Sequence, residues 1–153
     1  MNKKLSIILP VFDEKESIDL MVRLLMSSLK FDKEILIIYD NLNDNSISEA
    51  KKLEKEFDNV RAIHNNKSPG VKFAIDKGVQ EAQNEIIFIT VVDEIFPIIA
   101  INKMIDLIVN EGFDFVNGTR YAKGGFRLGG SFLASNLSKL ANKIFCLLSN
   151  FPL

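Results

Sequence analysis

The sequence predicts an α/β protein with a mostly parallel sheet and helices on both faces. Three observations predict it. Short apolar runs alternate with segments of helical periodicity from the start of the chain to residue 118, the pattern of repeated βαβ units. Residues 86–92, IIFITVV, form an apolar run of the kind expected for a strand covered on both faces. The segments that follow the apolar runs, residues 10–14, 40–44, 65–70 and 93–97, are polar or acidic, and in such sheets ligands bind beyond the carboxyl ends of the strands.

The elements follow in order. Residues 5–9 are apolar and stop at Pro10, which reads as a buried first strand. Residues 16–29 place Ile18, Met21, Val22, Leu25 and Leu29 at helical spacing. Residues 34–39 are an isoleucine-rich second strand. The loop DNLNDNS follows, with Ser46 as the cap of a helix running to about residue 57. Residues 59–63 are a third strand. Residues 65–70 are a loop, with Pro69 in the first turn of the next helix. After the run at 86–92 come a helix over 98–110 and a strand over 113–118. Residues 123–130, KGGFRLGG, are a glycine-rich loop. Residues 131–151 carry Leu133, Leu137, Leu140, Ile144, Leu147 and Phe151 on one helical stripe, with Lys139, Asn142 and Lys143 off it. The expected organisation is a ligand-binding domain over 1–125 and a loop with an amphipathic helix over 126–153.

Composition bounds the function. Of the 153 residues, 47% are hydrophobic and 25% charged, as in an ordinary globular domain. The single cysteine, Cys146, makes no internal disulfide and fits a reducing compartment. No run reaches the roughly 20 apolar residues of a spanning helix, and the amino-terminal run reads as a strand rather than a signal peptide. The expected location is cytoplasmic, peripheral to a membrane face. The net charge of −1 is uneven: residues 115–153 hold Arg120, Lys123, Arg127, Lys139 and Lys143 and no acid. That basic end on an acidic body suggests a local anionic partner.

The chemistry lies in the loops. A dinucleotide-binding domain needs a glycine-rich turn after its first strand. Here that turn is PVFDEKES, without glycine, and a Walker phosphate loop is also absent. Asp40, at the end of the second strand, suits a ribose or base contact. Acidic loops fit a different design, in which a carboxylate holds a divalent cation and the cation neutralises a diphosphate. His64 stands alone and reads as structural. Cys146 reads as a small buried apolar residue.

PVFDE resembles the PVYNE signature of family 2 glycosyltransferases, and IIYDNLNDNS resembles their VDDGSxDxT segment. Asn65, Gly70, Ala74 and Gly78 resemble the N-x-G-x-x-x-A-x-x-x-G stretch. FITVVDEIFP resembles the strand ending in DxD, and GTRYAKGG the GSRYxxGG of the dolichol-phosphate mannosyltransferase-like branch. Together the pieces cover residues 5–125 in the family's order. The resemblance implies a Rossmann-like GT-A fold and an inverting transfer of sugar from a UDP- or GDP-sugar to a polyprenyl phosphate, with Mg²⁺ or Mn²⁺ as cofactor. It implies that Pro10, Phe12, Glu14, Asp40, Asn65 and Gly70 bind the nucleotide, that Asp93 holds the metal, and that Arg120 lies near a phosphate. No nucleic-acid partner is expected; a membrane surface is. Two departures stand out. Val91 replaces the first aspartate of DxD, leaving Asp93, with Glu94 as a further candidate. The acceptor segment that supplies the catalytic base in the family has no counterpart before Leu153. The chain therefore reads as a fragment of the enzyme, or as a nucleotide-sugar-binding module that works with a partner chain.

Overall fold

The computed structural model describes residues 4–95, 98–118 and 132–149. The chain divides into two compact units, Met1–Val116 and Asn117–Leu153. In the first, four strands alternate with four helices: β1 Leu5–Pro10, α1 Lys15–Ser28, β2 Lys33–Tyr39, α2 Ser46–Glu56, β3 Val60–His64, α3 Val71–Glu81, β4 Ile86–Ile89 and α4 Ile98–Glu111. In the second, α5 spans Phe132–Ser149.

The sheet is wholly parallel, in the order β3-β2-β1-β4. The chain builds outward from β1 through β2 to β3, then crosses back to place β4 on the other side of β1. Alternate strand residues face opposite layers. Ile7, Leu9, Ile35 and Ile37 join Ile18, Met21 and Leu25 of α1, Ala50 and Leu53 of α2, and Ile101 and Ile105 of α4. Ile8, Leu36 and Ile38 face Ala74 of α3. β1 and β2, buried except at Pro10 and Lys33, therefore read as mainly apolar runs, as a two-faced parallel strand should.

Gly78 makes the α3 layer possible. A Cβ there would lie 2.5 Å from Ile8 Cγ2, so only glycine lets α3 approach β1 this closely. At the amino ends of the strands, away from the ligand end, Glu34 is buried but satisfied. It accepts from Ser6 Oγ at 2.6 Å and from the Gln83 N–H at 2.7 Å, so it is a structural group.

Several expectations are corrected. Residues 113–118 form no strand, and Phe115 is 80% exposed. A strand needs a neighbour for its hydrogen bonds, and among the described residues this segment has none. The run at 86–92 is a strand only as far as Ile89; among the described residues β4 lies at the edge of the sheet, and with Ile89 45% exposed it is not covered on both faces. Pro69 precedes α3 rather than opening it, because Gly70, at φ 116°, starts the helix. Ser46 begins α2 without capping it, since its hydroxyl is engaged elsewhere. Cys146 is half-exposed rather than buried. The glycine-rich loop at 123–130 lies outside the described residues.

Candidate functional site

The strand order reverses between β1 and β4, which opens a crevice at their carboxyl ends. A cleft of about 450 Å³ lies there. Pro10, Val11, Phe12 and Glu14 line it from the β1–α1 turn, Asp40 from the end of β2, Pro69, Gly70, Val71 and Ala74 from the start of α3, and Val91, Val92 and Asp93 from the loop after β4. Four loops far apart in sequence meet because parallel strands deliver all their carboxyl ends to one edge of the sheet.

The walls are apolar and the polar groups are acidic. Phe12 is exposed beside Pro10 and Val11, a surface suited to the flat face of a base. Asp40 is half-buried, and its Oδ2 accepts the Gly70 N–H. Its second oxygen accepts no hydrogen bond among the described residues. Gly70 holds a left-handed φ that side chains rarely adopt, which presents that N–H to Asp40. Glu14 and Asp93 complete three carboxylates, and no lysine or arginine lines the cleft among the described residues.

Six residues singled out in the sequence thus line one cleft: Pro10, Phe12, Glu14, Asp40, Gly70 and Asp93. Asn65 does not. It is 2% exposed, its Nδ2 donates to the Ser68 carbonyl at 2.7 Å, and its Oδ1 accepts the Lys67 N–H at 3.2 Å. Its side chain is spent on shaping the loop that carries Pro69 and Gly70. Arg120 lies outside the described residues. His64 stacks on Tyr39 with ring centroids 5.4 Å apart, which fits its structural reading.

Sequence reasoning missed the residues that hold the β1–α1 turn. The Asp13 N–H donates to both oxygens of Asp44 at 3.2 Å, the Glu14 N–H to Ser46 Oγ at 2.7 Å, and the Lys15 N–H to Asn45 Oδ1 at 3.1 Å. The DNS run carries cap-forming residue types, but nothing local says that they cap a helix some thirty residues earlier.

The glycosyl transferase family 2 model matches residues 6–136. The chain belongs to this family. This family 2 chain has relatives among the dolichol-phosphate mannosyltransferases. It is 29% identical over 123 residues to the one from Pyrococcus furiosus, covering 80% of this chain and 34% of that protein. It is 27% identical over 128 residues to the one from Saccharomyces cerevisiae, covering 81% and 47%. It is also similar in fold to a mannosyltransferase from Pyrobaculum calidifontis solved with GDP-Man and Mn²⁺, at a TM-score of 0.62 and 14% identity, over 72% of this chain and 33% of that one. The chain thus spans a third to a half of the length of these relatives. Its fold is the Rossmann-like GT-A arrangement that the family resemblance implies.

Proposed function

We propose that this chain binds the donor of a glycosyltransferase that moves a sugar from a UDP- or GDP-sugar to a polyprenyl phosphate. One observation carries the reading: the cleft at the strand-order reversal offers apolar walls, three carboxylates and, among the described residues, no cation. A diphosphate entering three negative side chains is repelled unless a divalent ion enters with it. Among the described residues no three acidic, histidine or cysteine side chains cluster as a complete metal site, so the protein would offer such an ion one carboxylate and leave the rest of its shell to substrate and water. Asp93 is exposed on the β4 side of the cleft, and Mg²⁺ or Mn²⁺ takes one or two carboxylates together with substrate phosphate oxygens. When bound, the cation would stabilise the charge that develops on the leaving nucleoside diphosphate.

The chain's own groups would do the rest. Pro10 and Phe12 flank the base, the free oxygen of Asp40 accepts from base or ribose, and Glu14 faces the sugar nucleotide from the β1–α1 turn. The acceptor phosphate oxygen attacks the anomeric carbon in line with the departing diphosphate, which inverts that carbon. A phosphate is already ionised near neutral pH, so the step needs less help from a base than an alcohol acceptor would. Support for the acceptor comes from the dolichol-phosphate mannosyltransferase relatives and from the basic, acid-free stretch over 115–153.

Titration calorimetry of the chain with GDP-mannose and UDP-glucose, each with Mn²⁺ and with EDTA, tests the reading. At least one donor should bind with Mn²⁺. No binding of either in Mn²⁺ contradicts the proposal. Binding without transfer to a polyprenyl phosphate would leave the chain a donor-binding module that needs a partner chain for turnover.

A further inference from the structure

We propose that Asp44 is a positioning residue for the nucleotide-sugar donor, acting through the β1–α1 turn rather than by touching ligand. The inference rests on the donor reading above and extends it to a residue outside the cleft.

The first amides of a helix have no partner within the helix. At α1 the amides of Lys15 and of Glu14, the residue that caps the helix, are taken by Asn45 and Ser46, and the amide of Asp13 just before them is taken by Asp44. Asp44 anchors the set. It is 5% exposed, and besides the Asp13 N–H its Oδ1 accepts the Ser46 N–H at 2.7 Å. Burying a carboxylate is costly unless it is hydrogen-bonded. Here amides and the positive end of the α1 dipole offset that cost.

Asp13 carries the strain in this turn. Its φ is 56°, the one left-handed non-glycine residue among those described, a conformation that persists only where the surroundings enforce it. Asp44 supplies that enforcement through the Asp13 amide. The neighbours on either side, Phe12 and Glu14, both line the cleft, whereas Asp44, Asn45 and Ser46 do not. Releasing Asp44 therefore lets Asp13 relax and turns Phe12 and Glu14 away from the ligand.

The test uses the full chain, GDP-mannose and UDP-glucose in Mn²⁺, and the variant Asp44→Ala. The variant should fold, bind the donor at least about tenfold more weakly, and regain affinity when formate is added to occupy the vacated carboxylate position. Ile105→Val in the α4 core, a stability control, should keep the parent affinity. A folded Asp44→Ala with parent affinity overturns the proposal, as does a loss that formate leaves untouched. If Asp44→Ala fails to fold, Asp44→Ser, whose hydroxyl stops short of the Asp13 amide but keeps the position polar, is read the same way: unchanged affinity overturns the proposal. A parent chain that binds neither donor overturns the donor reading itself, and is told apart because it needs no substitution.

Discussion

Single residues in this molecule are decided by what lies across the sheet from them. Gly78 is the plainest case. Replacing a helical glycine by alanine ordinarily stabilises by about 1 kcal/mol. Here the new methyl meets Ile8 Cγ2 at 2.5 Å, and Ile8 is fully buried and branched at Cβ, so it has nowhere to swing. Overpacking of this kind costs about 1–3 kcal/mol, which outweighs the propensity gain. Gly78→Ala should therefore lower the melting temperature, and an unchanged or higher Tm would show that α3 shifts freely on the sheet. Which residues face the cleft is legible from sequence because they follow apolar strands directly: Pro10, Phe12, Asp40 and Asp93 all sit within a few residues of a strand end. The contacts of Asn65 and Ser46 are not legible in this way. Their partners are set by loop geometry and by a helix thirty residues away, and neither leaves a local signal.

At the scale of elements, periodicity predicts helices well and strands less well. The helices α1, α2 and α4 stand close to their expected bounds, and the apolar face of α1, recurring every 3.6 residues, matches the helix period and no strand period. A strand depends on a neighbour that the sequence does not name. Residues 113–118 show the pattern of a strand and pair with nothing among the described residues, while the apolar run through Val92 leaves the sheet after Ile89 and uses Val91 and Val92 to wall the cleft. The helix α5 keeps the stripe expected of it: Leu137, Leu140, Ile144 and Leu147 are exposed, Leu147 at 84%, with Lys139 and Lys143 also exposed. Among the described residues no helix is long and apolar enough to cross a membrane. An amphipathic helix with basic residues off its apolar face gains by lying at an anionic lipid surface, by about 1 kcal/mol for each basic residue near it. The chain should float with vesicles containing anionic lipid and less with neutral ones. If it stays in the soluble fraction with both, α5 has another partner.

For the whole molecule, topology and charge act together. Building from β1 to β3 and then crossing back to β4 puts four loops around one crevice, and the sequence supplies that crevice with Glu14, Asp40 and Asp93. The side chains of Asp44, Asn45 and Ser46 close the amino end of α1, the place where a glycine-rich fold would hold phosphate. On the proposed donor reading, a nucleoside diphosphate among these carboxylates would need a cation, with Asp93 as its candidate ligand. The most direct measurement is donor affinity by calorimetry for the parent chain and Asp93→Ala, each in Mn²⁺ and in EDTA. The parent should lose at least about tenfold in affinity when Mn²⁺ is replaced by EDTA, and Asp93→Ala should bind weakly in both with little change in Tm. Equal affinity of the parent in Mn²⁺ and in EDTA would contradict the account.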